Sequence, residues 1–81
     1  MLSELADSRK VTGIKQTKRA VVNGTAVRVY IAEDAEMRLR LELCELCDRH
    51  EIPVTEVESM DKLGHACGIN IGASSAALLR G

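Results

Sequence analysis

The sequence predicts an α/β protein, a three-layer α/β/α sandwich around a small mixed four-stranded sheet. Two observations carry this expectation. Helix-like and strand-like segments alternate along the whole chain, ending on a strand, and such alternation places helices on both faces of a sheet. The chain has 81 residues, which suits one domain over residues 1–81 with short strands and a thin stability margin.

Each element has its own signal. Residues 3–8 read as a short helix, and RKVTG at 9–13 as a short strand running into a glycine. A helix follows over 14–22, stopped by Asn23 and Gly24, a common helix end. AVRVYIA at 26–32 alternates, with Val27, Val29 and Ile31 on one face and Arg28 and Tyr30 on the other. It is rich in β-branched residues and reads as a strand. Acids then lead into a helix over 36–50, where they favour the positive end of the helix dipole. Leu39, Leu43, Leu46, Cys47 and His50 form its apolar side at three- and four-residue steps, and Leu41 falls off that stripe. IPVTEV at 52–57 is a strand. Ser59 can cap a helix that ends at Gly68, with Met60, Leu63 and Cys67 on one face. INIGASSAALL at 69–79 is the last strand, with Ser74 and Ser75 as small residues that let a helix pack close.

Composition narrows the function. Aromatic residues are reduced to one Tyr, with no Phe and no Trp. Nucleic-acid binders that stack bases on aromatic platforms are thereby excluded. No apolar run approaches the roughly 18–20 residues that span a membrane. The first ten residues have acids where a signal peptide has basic residues, so a cytoplasmic protein is expected. Three cysteines, an odd number, fit free thiols in a reducing compartment.

The charge distribution is uneven. The net charge is -1, yet six of the eleven positive residues (Arg9, Lys10, Lys15, Lys18, Arg19 and Arg28) fall where no acid occurs between Ser8 and Glu33. Residues 33–62 hold ten acids against four basic residues. Net charge is therefore a poor guide to the local field. On a helical wheel Ile14, Thr17 and Val21 face one way and Lys15, Gln16 and Arg19 the other. Lys18 falls near Ile14, where it can either lie along the core edge or reach a ligand. Gly13 allows close backbone approach, and the free N–H groups of the first turn add positive potential. Such a surface suits phosphates and the acceptor edges of purines, although a solvated basic face would look the same.

Four motifs in register extend this reading. GIKQTKRA at 13–20, VYIAEDA at 29–35, IPV at 52–54 and KLGHACGINI at 62–71 together resemble the L-seven-Ae family of ribosomal and kink-turn RNA-binding proteins. The similarity is greatest to its short bacterial members. The resemblance covers residues 9–79 and implies the same sandwich fold. It also implies a non-enzymatic protein. Its partner would be a kink-turn, a bent RNA with tandem sheared G·A pairs, in ribosomal RNA or a riboswitch. A monomer without cofactors or metal is expected, since nothing in the sequence advertises a second large apolar face. By this resemblance Gly13, Lys15, Gln16 and Arg19 meet the G·A pairs. Lys15 stands where archaeal and eukaryotic members have Asn, Gln16 where they have Glu, and Arg19 where they have Lys. Ile69, Asn70 and Ile71 form the loop that covers a bulged base, with Asn70 where many members have Glu. Glu36 matches a position that contacts a bulge base in some members. Met60 stands where some members have Lys.

Other readings compete. A protein-docking module on the same fold, with little RNA affinity, is the main alternative. The C-x-x-C spacing of Cys44 and Cys47 suggests a metal or redox site, with His50, His65 and Cys67 as further ligands. Yet the pair lies within a helix and no second such pair exists, so structural thiols are expected. The acids Glu33, Asp34 and Glu36 resemble a carboxylate cluster but sit where a helix start favours them.

Overall fold

The computed structural model describes residues 9–80. The helix expected over 3–8 lies outside the described residues. The observed elements are β1 (Lys10–Thr12), α1 (Ile14–Val22), β2 (Ala26–Ala32), α2 (Met37–Arg49), β3 (Val54–Val57), α3 (Met60–Ala66) and β4 (Ser75–Leu79). The four strands form one sheet in the order β1-β4-β2-β3. β4 is antiparallel to both neighbours, with Val11 opposite Ala77 and Tyr30 opposite Ala76. β2 and β3 are parallel, with Ile31 opposite Glu56. The sheet is thus mixed, as expected.

Alternation along the central strands divides the interior into two cores. Val29 and Ile31 of β2 and Ala77 of β4 pack with Ala20 and Val21 of α1 and Leu43 and Cys47 of α2. Tyr30, Ala32 and Ala76 face the other way, against Leu63 and Cys67. Helices α1 and α2 therefore cover one face and α3 the other. Many of the buried positions are alanines. Small side chains let the layers approach closely, which is how a chain with one aromatic residue still builds a close-packed core.

Local chemistry explains the element ends. Gly13, at φ 92°, occupies a left-handed conformation that glycine adopts without strain, and it turns β1 into α1. The Ser59 side chain accepts a hydrogen bond from the Lys62 N–H at 3.1 Å and caps α3 as expected. Leu43 and Cys47 on the α2 stripe are fully buried, and Leu41, off the stripe, is exposed.

The expected boundaries shift in places. Residues 52 and 53 precede β3, because Pro53 has no N–H to place in a ladder. Its carbonyl still accepts from the Val29 N–H at 3.0 Å. The largest correction concerns the last strand. Residues 69–74 do not join the sheet as a strand, and β4 begins only at Ser75. Helix α3 ends at Ala66, and Gly68 at φ 81° turns the chain. The Ile69 N–H bonds the Gly64 carbonyl at 3.1 Å and the Gly68 N–H bonds the His65 carbonyl at 3.0 Å, the paired arrangement that closes many helices. The Ala73 N–H then bonds the Met60 carbonyl at 3.0 Å. The Ile69 and Ala73 N–H groups are thus spent on α3, and the segment returns to the sheet only at Ser74, whose carbonyl accepts from the Ala32 N–H of β2.

Candidate nucleic-acid interface

Strand direction gathers several segments at one edge of the sheet. β1, β2 and β3 end there and β4 begins there. The Gly13 N–H donates to the Ser75 carbonyl at 2.9 Å, the Ala32 N–H to the Ser74 carbonyl at 2.9 Å, and the Glu33 N–H to the Val57 carbonyl at 2.8 Å. The Asp34 carboxylate accepts from the Met60 N–H at 2.8 Å and ties the turn after β2 to the start of α3. The start of α1, the turn at 33–36 and the loop at 69–74 thus meet along one rim. In open α/β sheets this is the rim where ligands bind.

Helix α1 presents the basic part of that rim. Thr17, Ala20 and Val21 are buried, and Lys15, Gln16 and Arg19 are exposed, as the wheel requires. The buried Thr17 hydroxyl accepts a hydrogen bond from the Ser75 hydroxyl at 3.3 Å, fixing the helix to the strand that starts beside the loop. Ser75 is the small residue the sequence suggested for close packing. Among the described residues no side-chain hydrogen bond or ion pair engages Lys15, Gln16 or Arg19. Lys15 and Arg19 are one helical turn apart and share a side. A Cβ built on Gly13 would meet nothing within 4 Å, so the backbone in front of α1 is open to a large ligand.

Two other basic residues of the amino-terminal half are engaged. Lys18 reaches Glu42 on α2 at 3.0 Å, and Arg28 donates to the Thr55 hydroxyl on β3 at 3.0 Å. Lys18 therefore belongs to the α1–α2 contact, a choice the wheel left open.

The loop divides its three candidates. Ile69 is half-buried and packs against the α3-side core, whereas Asn70 and Ile71 are exposed, Ile71 to 75%. Glu36 is the exposed N-cap of α2, and its side chain makes no capping hydrogen bond. Met60 is half-buried under Gly72. Sequence reasoning missed Asp34 as a tether and Gly64 as a packing site. A lone glycine inside a helical pattern was the available signal for Gly64.

The cysteines do not assemble a site. Cys44 is exposed and Cys47 buried. Cys47 lies in the core under α1 and α2, and Cys67 in the core on the opposite side of the sheet. Burial, with a smaller contribution from Cys44, pushes the Cys47 thiol up to about 11. Burial also raises Cys67, against a smaller lowering by Lys10. Protonated thiols are poor nucleophiles and poor metal ligands. His50 and His65 are exposed. Among the described residues no group of three or more His, Cys, Asp or Glu could hold a metal, and no helix is long and apolar enough to cross a membrane.

A sandwich with an open basic helix start and an exposed apolar loop on one rim defines the class, and the sequence model of the ribosomal protein L7Ae/L30e/S12e/Gadd45 family matches residues 2–80. The chain belongs to this family, the one its motifs resemble. It is 42% identical over 76 residues to an RNA-binding protein of Geobacillus sp. strain WCH70, covering 94% of this chain and 93% of that one. It is 44% identical over 70 residues to the RNA-binding protein YbxF of Geobacillus stearothermophilus, covering 86% and 85%. Among solved structures, a Bacillus halodurans protein of unknown function superposes with TM-score 0.89 at 28% identity, covering 98% of this chain and 83% of that one. The 15.5 kD RNA-binding protein of Giardia lamblia superposes with TM-score 0.87 at 24% identity, covering 99% and 68%, a likeness of fold.

Proposed function

We propose that this chain is a non-enzymatic RNA-binding protein that recognises kink-turns, acting as a cytoplasmic monomer on ribosomal RNA or a riboswitch. One observation carries the reading. Lys15, Gln16 and Arg19 stand exposed and unpaired among the described residues, on a helix whose start is open at Gly13. RNA-binding relatives that span nearly the same length support it.

In this reading the first turn of α1 enters the widened groove at the sheared G·A pairs. Lys15 donates to guanine O6 and N7, and Gln16 both donates and accepts at base edges. Arg19 offers a flat fork of donors to a phosphate or a guanine. Ile71 covers an unstacked base by apolar contact, which needs no aromatic ring. Ile69 supports it from the core, while Asn70 and Glu36 supply polar contacts to bulge bases. A rigid protein that fits only the bent RNA draws the population toward that form. Recognition rests on shape and splayed bases, as is usual for RNA.

The test is a titration at fixed salt of a kink-turn RNA against the same RNA with its G·A pairs changed to Watson–Crick pairs. Tight binding to the first alone, weakened by Lys15→Ala and Arg19→Ala, is expected. Equal weak binding to both would sink the reading. It would favour a protein-docking module, for which the exposure of Met37 and Leu41 on α2 speaks.

A further inference from the structure

Gly64 sits in the middle of α3, where glycine is an unfavourable choice for helix formation. It is buried. A Cβ at this position would lie 2.0 Å from the carbonyl oxygen of Ile71, 3.0 Å from its carbonyl carbon and 3.2 Å from the Cα of Gly72. All three are backbone atoms, so no side-chain rotation relieves the overlap. The Gly64 carbonyl also accepts from the Ile69 N–H at 3.1 Å. One residue thus contacts the loop on both sides of Asn70. Gly72 continues the seam, since a Cβ there would meet the Met60 Cβ at 3.1 Å. The loop backbone lies flat on α3, and the Ile71 side chain is left 75% exposed. An isoleucine held outward on a pinned loop gains from being covered by a ligand.

We infer that Gly64 is a positioning residue for the RNA contact. By having no side chain it lets residues 69–72 lie directly on α3, and this sets where Ile71 meets the RNA. The inference rests on the RNA-binding reading above and adds a residue outside the surface that reading uses. Gly64 touches no RNA itself.

The experiment is a double-mutant cycle with Gly64→Ala, Ile71→Ala and the double variant, titrated with the kink-turn RNA at several salt concentrations. Circular dichroism and thermal melting report folding. Each single change is expected to weaken binding about tenfold, the size of an interface residue that matters. The double variant should bind no more weakly than the poorer single one, because a displaced Ile71 has little left to lose. The salt slope should stay at the wild-type value, because Lys15 and Arg19 lie on α1. A glycine that served stability alone would instead give losses that multiply, and this would overturn the inference. Wild-type binding by folded Gly64→Ala would overturn it as well. Should Gly64→Ala fail to fold, Gly72→Ala replaces it, since its Cβ asks Met60 to give by only a few tenths of an ångström. A smaller loss that does not add to that of Ile71→Ala is then expected, and undiminished binding would overturn the inference. Failure of the wild-type protein to prefer the kink-turn would refute the RNA reading, and this inference with it, and is seen in the wild-type titration alone.

Discussion

Arg19 and Lys18 are neighbours in sequence with different surroundings. Lys18 turns to Glu42 at 3.0 Å, whereas Arg19 has no side-chain partner among the described residues. Both ends of the Lys18 pair are well exposed, so it contributes little to stability. The unpaired charges are the ones that phosphates can engage. Lys15→Ala and Arg19→Ala should each weaken kink-turn binding. Where the lost contact is to a phosphate, the slope of log K against log salt should also fall by about 0.7–1. A contact to a guanine edge would leave the slope nearly unchanged. Titrations at three or more salt concentrations separate the two. Cys47 gives a prediction of another kind. Its folded-state thiol is pushed up to about 11 from 9.0, so between these values the unfolded chain loses a proton that the folded chain keeps. Its contribution is fully present below pH about 9 and is lost as pH rises toward 11. Stability should therefore fall across that window, and Cys47→Ala, though less stable overall, should show a shallower fall. Denaturant melts at pH 8 to 11 measure it.

At the scale of elements, the position of α1 depends on polar as well as apolar contacts. Thr17 and Ser75 are both buried, and their hydroxyls bond at 3.3 Å between helix and strand. Thr17→Val keeps the shape and leaves the Ser75 hydroxyl without that partner, at a cost of about 1–3 kcal/mol. Adding Ser75→Ala should recover part of the loss, because replacing both partners by apolar groups is far less costly than removing one. Chemical denaturation of the three variants tests this, and additive losses would argue against the bond. The elements also show how far patterning reaches. The 3.6-residue period sorted α1 into a buried side with Thr17 and Val21 and an exposed side with Lys15, Gln16 and Arg19. It likewise placed Leu43 and Cys47 inward and Leu41 outward on α2. Period fails where backbone contacts decide. Residues 69–74 are apolar and small like the strand they precede. They leave the sheet because Gly64, Gly68 and Gly72 let them pack on α3.

At the scale of the whole molecule, the separation of charge along the chain is only partly a separation in space, since Lys18 of α1 meets Glu42 of α2 and the acidic turn at 33–36 shares a rim with the start of α1. All acids of the described residues fall between Glu33 and Asp61, on the elements after β2. Several are matched by bases on those same elements, as in Arg40 with Glu56, Arg49 with Glu45 and Lys62 with Glu58. Helix α1 keeps a surplus in Lys15 and Arg19. A rim assembled from three separate segments is stiff only if the sheet beneath it is intact, and a stiff rim can select one RNA shape. A kink-turn RNA labelled at its two helical ends should therefore show a shorter end-to-end distance by energy transfer as protein is added. The same labelled RNA without G·A pairs should show no change.

The sequence by itself determined the fold class, the order of the described elements and the solvent-facing side of α1. These follow from local periodicity, capping residues and turn residues, which act within a few positions. It also carried the family, through four short motifs in register. Tertiary structure alone decided that Lys18 answers Glu42, that Cys47 and Cys67 lie on opposite sides of the sheet, and that residues 69–74 rest on α3. It also made Ile71 exposed and Ile69 half-buried. Those outcomes depend on contacts between atoms far apart in the chain, above all the close approach of the Ile71 backbone to Gly64, and no local pattern encodes them.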